Sequence, residues 1–264
     1  MQILNYQGLQ IIQNSHYKKE DALVIEAALQ ININNTPYTV VMRTPDNDLE
    51  LVRGLLYAED IYKKSTPFIF EVVEEKDNFE SVVNITVPKD QLGKGYLNKR
   101  TLLSVSSCGI CGKKELKDLN VSGEKINLPD AVLTQNIQAM FGILHQHQEA
   151  FKSSGGSHAA ALFNRKNELL SIKEDIGRHN AVDKVVGDLL LKDQLQDATF
   201  MLVSGRVSYE IVSKAFIAKI PIIVAVSACS SLAVDFAKEF GICLIGFARG
   251  EKMTLYANPN YLTK

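Results

Sequence analysis

The sequence predicts an α/β fold with a mostly parallel three-layer sheet and a smaller β-rich N-terminal domain. From residue 159 onwards, short apolar segments alternate with amphipathic helical segments, which is the pattern of buried parallel strands covered by helices. The earlier part of the chain instead combines β-type segments with one helical segment. We therefore expect a β-rich domain at residues 1–95, a connecting segment at 96–131 and an α/β domain at 132–264.

The N-terminal domain is predicted to contain a β-hairpin followed by a helix. The turn-forming residues 34–37 separate two β-type segments at 23–33 and 38–43. A helix follows, because Asp48 can cap it and the next apolar residues recur with helical spacing. These apolar residues are Leu51, Val52, Leu55 and Leu56. Two further strands are predicted at 68–73 and 81–87.

The α/β domain is predicted to open with a helix at 134–152, which ends before the glycines Gly155 and Gly156. Strands and helices alternate after it. The predicted strands lie at 159–163, 169–174, 199–203, 221–226 and 242–247. The predicted helices lie at 180–191, 209–218 and 232–240.

Composition and charge exclude several classes of protein. The chain has 264 residues, a net charge of −1 and a pI of about 6.5, so no overall positive field favours nucleic acid or an anionic membrane. No apolar run reaches the roughly 18 residues of a membrane helix, and residues 1–16 lack a secretion pattern. The four cysteines are too few for a disulfide framework. We expect a cytoplasmic protein that binds neither nucleic acid nor membrane.

Charged and hydroxyl side chains follow four of the predicted strands. The carboxyl ends of parallel strands meet at one edge of a sheet, where α/β proteins bind their ligands. The candidate ligand-binding residues at this edge are Arg178, His179, Arg206, Ser227, Arg249 and Lys252. Each motif alone also fits a helix cap or a solvated charge, but the agreement of four loops favours a ligand. Arginines and helix N-termini bind phosphate, so we expect a large anionic ligand, a nucleotide derivative.

Cys108 and Cys111 form a Cys-x-x-Cys pair flanked by glycines, which allow a reactant to approach closely. A structural zinc site is the weaker interpretation, because the sequence has no second ligand pair at a suitable spacing. A zinc deaminase would need a His-x-Glu before the pair, but the only histidine there, His16, is followed by Tyr17 and Lys18. A thioredoxin-like enzyme would have the pair near the start of a βαβ fold, whereas here the pair follows the predicted N-terminal domain. Lys113 and Lys114 favour the thiolate, so we expect a thiol that carries a group. The other two cysteines, interpreted as small core residues, are Cys229 and Cys243.

Six motifs along the chain together resemble those of the FdhD family, the formate dehydrogenase accessory sulfurtransferases. They are Thr44-Pro45 followed by a Leu-x-x-Gly-x-Leu helix, and the segments 107–112 (SCGICG), 155–160 (GGSHAA), 174–184 (EDIGRHNAVDK), 204–210 (SGRVSYE) and 246–250 (GFARG). Their order and their spread over most of the chain make the resemblance specific. One departure is Cys229-Ser230, where the family usually has Pro-Thr.

The resemblance implies a cytoplasmic, homodimeric sulfur carrier with a cytidine-deaminase-like α/β domain that lacks zinc. Such a carrier takes persulfide sulfur from a cysteine desulfurase and passes it to Mo-bis(molybdopterin guanine dinucleotide), the cofactor of the formate dehydrogenase catalytic subunit. The persulfide cysteine of the family matches Cys108. Its cofactor-binding segment matches Phe247, Ala248, Arg249, Gly250, Glu251 and Lys252. Because the implied ligand contains guanine nucleotides, we expect these nucleotides to bind as fragments of it.

The role of Cys111 stays open between a second sulfur acceptor and a resolving thiol. Two functions of other classes also remain open. A thiol-disulfide oxidoreductase would require Cys108 and Cys111 equally. A non-catalytic chaperone that only delivers the molybdenum cofactor would require neither.

Overall fold

A computed structural model describes residues 1–64, 66–97, 123–128, 132–133 and 137–263 of the chain. The predicted thiol pair, Cys108 and Cys111, lies outside the described residues. So does most of the predicted connecting segment at 96–131.

The chain begins with a long hairpin that the sequence analysis does not predict. Strand β1 (Ile3–Ile12) pairs antiparallel with β2 (Ser15–Val24) over ten residues each. The turn residues Gln13 and Asn14 both have positive φ, as a two-residue hairpin turn requires. Most of the hairpin is exposed on both faces, so its apolar residues do not follow the alternation of a half-buried strand.

A four-stranded sheet follows, with the order β4-β3-β6-β5. Its elements are β3 (Ala27–Ile33), β4 (Thr36–Arg43), helix α1 (Asp48–Ala58), β5 (Ile69–Glu75) and β6 (Ser81–Thr86). The predicted hairpin is confirmed, and it turns at Asn34 and Asn35, which have φ of 51° and 62°. The predicted apolar face of α1 is also confirmed, since its four residues are buried in the core of this sheet.

Asp48 does not act as the predicted helix cap. The residue before the helix is Asn47, which has a left-handed backbone with φ of 63°. The Asp48 carboxylate instead accepts hydrogen bonds from Nε and Nη2 of Arg43, both at 2.9 Å. Arg43 is fully buried at the end of β4, and a buried guanidinium requires a charged partner. The ion pair therefore fixes the start of α1 against β4.

The rest of the chain builds a larger sheet with helices on both faces. The helices are α2 (Ile137–Gln146), α3 (Glu149–Ser154), α4 (Arg178–Leu191), α5 (Tyr209–Ile217) and α6 (Ser231–Phe240). The strands are β8 (His158–Asn164), β9 (Leu169–Asp175), β10 (Ala198–Val203), β11 (Ile222–Ala225), β12 (Cys243–Arg249) and β13 (Lys252–Ala257). Two short strands, β7 (Val132–Leu133) and β14 (Leu262–Thr263), pair in parallel beside it. Helices α4, α5 and α6 pack on one face of the sheet, and α2 packs on the other.

The prediction of one continuous helix at 134–152 is wrong. The chain leaves helical geometry at His147 and Gln148, and α3 starts anew at Glu149. The Glu174 carboxylate accepts hydrogen bonds from the backbone N–H groups of Ala150 and Phe151, both at 2.9 Å. A carboxylate at these free N–H groups stabilises a helix start, so Glu174 holds the second helix separately from the first.

The prediction of a mostly parallel sheet is also wrong, because the sheet is mixed. Its order is β13-β12-β11-β10-β8-β9, and only β10, β11 and β12 pair in parallel among these described strands. The β8–β9 and β12–β13 pairs are hairpins, closed by turns containing Asn167 with φ of 65° and Gly250 with φ of 54°. Such turn residues reverse the chain directly, whereas a parallel connection needs a crossover.

Helix α1 of the smaller sheet packs directly against α4 of the larger one. A Cβ atom on Gly54 would lie 1.9 Å from the carbonyl oxygen of Asp183, and one on Gly187 would lie 1.9 Å from that of Glu50. The two helix backbones therefore touch through paired glycines. This contact joins the two sheets through their helices. Within the described part of the chain the longest helix, α4, has 14 residues, and no helix has the length and apolar character needed to cross a bilayer.

Candidate functional site

The candidate site is one edge of the larger sheet. Strands β10, β11 and β12 end at this edge because they run in parallel. Strand β9 also ends there, and β8 begins there, since His158 pairs with Asp175 and Ala160 pairs with Val203. The four loops singled out in the sequence therefore lie along the same edge, although the sheet is mixed. The start of β8 adds His158 to them.

Backbone hydrogen bonds join three of these loops to one another. The N–H of Val207 donates to the carbonyl of Ala228 at 3.0 Å, and the N–H of Ser230 donates back to Val207 at 3.0 Å. The N–H of Phe247 donates to the carbonyl of Ser227, also at 3.0 Å. These bonds hold the loops after β10, β11 and β12 next to one another at the edge of the sheet.

Arg178 is the most informative cation at this edge. Its Nε is buried and has no hydrogen-bond partner among the described residues. A Cβ atom on the neighbouring Gly205 would lie 3.3 Å from Cβ and Cδ of Arg178 and 3.2 Å from Nδ1 of His158. Gly205 therefore makes room for both side chains. A buried guanidinium nitrogen with an unused donor is suited to bind an anion.

The pKa of His158 reflects its burial and the positive charge at this edge. Burial lowers the pKa of His158 below its ordinary value, Arg178 and Arg206 lower it further, and Asp175 opposes them. The half-buried imidazole is therefore neutral at pH 7. Arg206 itself is exposed, so its guanidinium is open to a ligand.

His179 lies beneath the edge rather than on it. Its side chain is buried, with Nε2 3.2 Å from Oγ of Ser208 and 3.9 Å from a carboxylate oxygen of Glu210. Burial raises the pKa of Glu210, but the hydrogen bond with Ser208 and the charges of His179 and Arg178 together bring it below its ordinary value. Ser208 immediately precedes α5 and Glu210 lies in its first turn, so this cluster joins His179 to the start of α5.

The loop after β9 is held by a buried ion pair that sequence reasoning missed. Nζ of Lys184 lies 2.8 Å from Oδ2 of Asp175, and both side chains are fully buried. The Asp175 carboxylate also accepts hydrogen bonds from N–H of Thr44, N–H of Gly177 and Nδ2 of Asn180. An inward-facing lysine nine residues after an aspartate, within segment 174–184, was the available sign of this pair.

Phe247 begins the predicted cofactor-binding segment and has a strained backbone. Its φ is 52°, in the left-handed region that bulky residues rarely adopt, and its side chain is 45% exposed. Strain of this kind persists where surrounding structure imposes it, and it is frequent at binding sites. The hydrogen bond to Ser227 supplies that constraint here. An exposed aromatic ring is thereby kept at the strand-end edge.

The remainder of the segment forms the tip of the β12–β13 hairpin. Ala248 is buried, whereas Arg249, Gly250, Glu251 and Lys252 are exposed. Nε of Arg249 donates to the carbonyl of Val226 at 3.0 Å, which ties this guanidinium to the loop after β11. Arg249 and Lys252 are also paired across the hairpin. The structure thus brings these two cations to the edge that holds Arg178 and Arg206.

Cys229 and Cys243 are poor nucleophiles in this structure. Burial raises the pKa of the Cys229 thiol to about 11 and that of the Cys243 thiol to about 12, so both stay protonated at neutral pH. Cys243 is fully buried in the core, as predicted, and Cys229 is half-buried beside Gly246. No group of three or more potential metal-ligating side chains occurs within the described residues.

The sheet and its cationic edge define an α/β protein whose cations gather at the strand ends, the edge at which α/β proteins bind their ligands. The chain belongs to the FdhD/NarQ family, whose family model matches residues 24–263. A sulfur carrier protein FdhD from Saccharolobus solfataricus is 37% identical over 262 residues, covering 98% of this chain and 97% of that protein. The FdhD sulfur carrier from Mycobacterium tuberculosis is 38% identical over 258 residues, covering 93% of each. The family resemblance inferred from the six motifs is therefore confirmed.

A solved structure supports the fold independently. It is a crystal structure from Desulfotalea psychrophila described as that of a formate dehydrogenase accessory protein, and it matches with a TM-score of 0.77. The match covers 100% of both chains at 20% sequence identity. At that identity the likeness establishes the fold alone.

Proposed function

We propose that this chain is a sulfur carrier that accepts persulfide sulfur on Cys108 and transfers it to a bound Mo-bis(molybdopterin guanine dinucleotide). The observation that best supports the ligand class is the buried Nε of Arg178, which lacks a partner among the described residues and lies at the same edge as Arg206. The observation that best supports the chemistry is the family itself, whose relatives are named sulfur carrier proteins.

The first step is a sulfane-sulfur transfer. The Cys108 thiolate attacks the terminal sulfur of a cysteine desulfurase persulfide, so a new S–S bond forms on Cys108 and the S–S bond of the donor breaks. The desulfurase cysteine leaves as a thiolate, and no outside oxidant is needed. Cys111 can then attack Cys108, which releases hydrosulfide toward the ligand and leaves a disulfide that a dithiol must reduce.

The strand-end edge is proposed to bind the guanine nucleotide parts of the ligand. Arg178, Arg206 and Arg249 pair with its phosphates, and the exposed ring of Phe247 stacks on a guanine base. His179 acts through Ser208 as a positioning residue. The other proposed contacts are Ser227, Ala248, Gly250, Glu251 and Lys252.

The proposed setting follows from the same chemistry. A persulfide carrier needs reduced thiols, which the cytoplasm maintains. Its protein partners would be a cysteine desulfurase, as sulfur donor, and the formate dehydrogenase catalytic subunit, as destination of the cofactor. We also propose that the carrier is a homodimer.

The sulfur-transfer step is tested by intact mass spectrometry after incubation with a cysteine desulfurase and cysteine. We expect the protein to gain the mass of sulfur, Cys108→Ala to gain none, and the matched control Cys229→Ala to behave like the wild type. Loading that is unchanged in Cys108→Ala would exclude the proposed carrier site. A wild type that gains no sulfur, together with equal and complete loss of activity from Cys108→Ala and Cys111→Ala, would favour a thiol-disulfide oxidoreductase. Full activity in both variants would favour a delivery chaperone.

The ligand site is tested by calorimetry with GDP. We expect Arg206→Ala and Arg249→Ala each to weaken GDP binding about 10- to 100-fold, the usual effect of losing a charge-assisted hydrogen bond. The matched control is Arg165→Ala, because Arg165 is an exposed arginine in the β8–β9 turn at the opposite end of the sheet. If all three variants bind GDP equally, the nucleotide site lies elsewhere.

A further inference from the structure

His158 lies at the proposed ligand site and does not use its ring nitrogens in the fold. It is the first residue of β8, and its side chain is half buried at the strand-end edge. Its Nδ1 and Cδ of Arg178 border the same small gap, since a Cβ atom on Gly205 would lie 3.2 Å from the one and 3.3 Å from the other. No hydrogen bond joins the imidazole to another of the described residues. The ring is therefore available to a ligand that reaches Arg178.

Charged groups face His158 from three elements. Arg178 lies at the start of α4, Arg206 in the loop after β10, and Asp175 at the end of β9. The Asp175 carboxylate pairs with Lys184, whose Nζ lies 2.8 Å from it, so part of its negative charge is balanced. The two guanidinium groups therefore outweigh it at the imidazole. Burial and these two cations lower the pKa of His158, which keeps the ring neutral at pH 7 in the free protein.

An anion at this edge reverses the electrostatic environment of the ring. In the proposed function Arg178 and Arg206 pair with phosphate groups, which cancels their positive charge at His158 and adds negative charge beside it. An opposite charge within about 4–6 Å favours the charged form of a titratable group. The hydrogen-bonding groups agree with this, because a neutral imidazole has one nitrogen that only accepts, whereas an imidazolium donates through both nitrogens.

We propose that His158 takes up a proton when the anionic ligand binds and becomes a further cation of the site, beside Arg178 and Arg206. This inference rests on the proposed ligand site and adds a binding residue to it. The proton comes from the solvent and is held on a ring nitrogen, and no bond of the ligand breaks. The ligand cannot supply it, because a dinucleotide diphosphate is esterified at both ends and has no proton to release at neutral pH.

Proton uptake gives the ligand affinity a defined pH dependence. The complex holds a proton that the free protein lacks, so a lower pH favours the complex. The affinity is highest below the pKa that His158 has in the free protein, and the gain is lost as the pH rises through the higher pKa of His158 in the complex. A difference of one pH unit between the two corresponds to about tenfold tighter binding by the protonated protein.

The protonation step is tested by NMR titration of the wild type with ¹³C-labelled histidine side chains. Sequential assignment identifies His158 among the five histidines. In saturating GDP we expect the midpoint of its titration to move to higher pH by about one pH unit or more, the usual effect of an opposite charge nearby. The midpoint of His145, which is exposed on α2, should not move. A His158 midpoint that GDP does not raise would overturn this inference and leave the ligand site standing, whereas a protein that binds no GDP would overturn both.

The contribution to affinity is tested by calorimetry with GDP near pH 5.5 and near pH 8. The terminal phosphate of GDP itself gains a proton over this range, so the proteins are compared by the ratio of their two affinities, to which that effect contributes equally. We expect the ratio of the affinity near pH 5.5 to that near pH 8 to be at least about fivefold smaller in His158→Gln than in the wild type, because glutamine takes up no proton.

The matched control for this calorimetry is His145→Gln, which removes an exposed histidine away from the strand-end edge and should keep the wild-type ratio. Equal ratios in the wild type and both variants would contradict the role of His158. The NMR titration needs no variant, so it decides the question even where His158→Gln is unstable.

Discussion

A single missing Cβ atom shapes the proposed phosphate site. Gly205 lies between His158 and Arg178, and each would come within about 3.3 Å of a Cβ on it. Contacts of this length require the neighbours to move by a few tenths of an ångström. Both neighbours are side chains, so the fold can adjust, but Arg178, whose Nε is buried, would have to shift.

We therefore expect Gly205→Ala to weaken GDP binding about tenfold while costing little stability, because it displaces a charged contact rather than the core. The control is Gly142→Ala on helix α2, where an added Cβ meets nothing within 4 Å. That variant should leave GDP affinity unchanged and stabilise the protein by about 0.5–1 kcal/mol, since alanine is the better helix former. Calorimetry and urea unfolding measure the two quantities. Equal GDP affinities in both variants would contradict the role of Gly205.

Helix α1 and helix α4 pack against each other, and this contact contributes to the structure beyond the helix propensity of their residues. Their backbones touch at Gly54 and Gly187, so neither position has room for a side chain. This contact joins the smaller sheet to the helix that begins at Arg178. The packing of two glycines thus determines where Arg178, a proposed ligand-binding residue, lies relative to the N-terminal sheet.

We expect Gly54→Ala to destabilise the protein by about 3 kcal/mol, at the upper end for overpacking, because the atom in its way is a backbone oxygen that cannot rotate aside. Urea unfolding of Gly54→Ala beside Gly142→Ala measures the difference. A stability within about 0.5 kcal/mol of the wild type would mean that α1 and α4 separate easily.

Elements that are buried were predictable, and the reasons for the failures are physical. Strand β10 and helices α4, α5 and α6 lie close to where their apolar patterns predict them, because burial imposes those patterns. Strands β1 and β2 were missed because they are exposed on both faces. The sheet was predicted as mostly parallel because short apolar strands look alike in either direction, and strand direction depends on turns such as that at Gly250.

The candidate site was predictable in part for a related reason. Arg206, Arg249 and Ser227 follow apolar strands, so the strand pattern alone places them at the edge. Gly205 could not be recognised, because its importance depends on His158 and Arg178, which are distant in sequence. The pair Asp175–Lys184 was indicated only by the spacing of its two residues, which does not show that both are buried. Charge patterns in a sequence do not reveal which ions are buried.

On the scale of the whole molecule, the Asp175–Lys184 ion pair joins the two sheets. Nζ of Lys184 also donates to the carbonyl of Thr44 at 2.8 Å, while N–H of Thr44 donates to Asp175 at 3.1 Å. Thr44 immediately follows β4 of the smaller sheet, and Asp175 ends β9 of the larger one. The same few atoms therefore connect the N-terminal sheet to the loop that presents Arg178.

We expect Lys184→Met to destabilise the protein by about 3–5 kcal/mol, because it leaves the Asp175 carboxylate buried without its cation. The matched control is Lys192→Met at the C-terminal end of the same helix, since Lys192 pairs with Asp188 but is half exposed. An exposed pair contributes at most about 1 kcal/mol, so the control should unfold at nearly the wild-type urea concentration. The folded fraction of Lys184→Met should also bind GDP more weakly, because the loop at 175–180 loses one of its links to Thr44, the one that runs through Lys184. Equal urea midpoints for the two variants would mean that water reaches Asp175, and that the ion pair contributes little to holding the two sheets together.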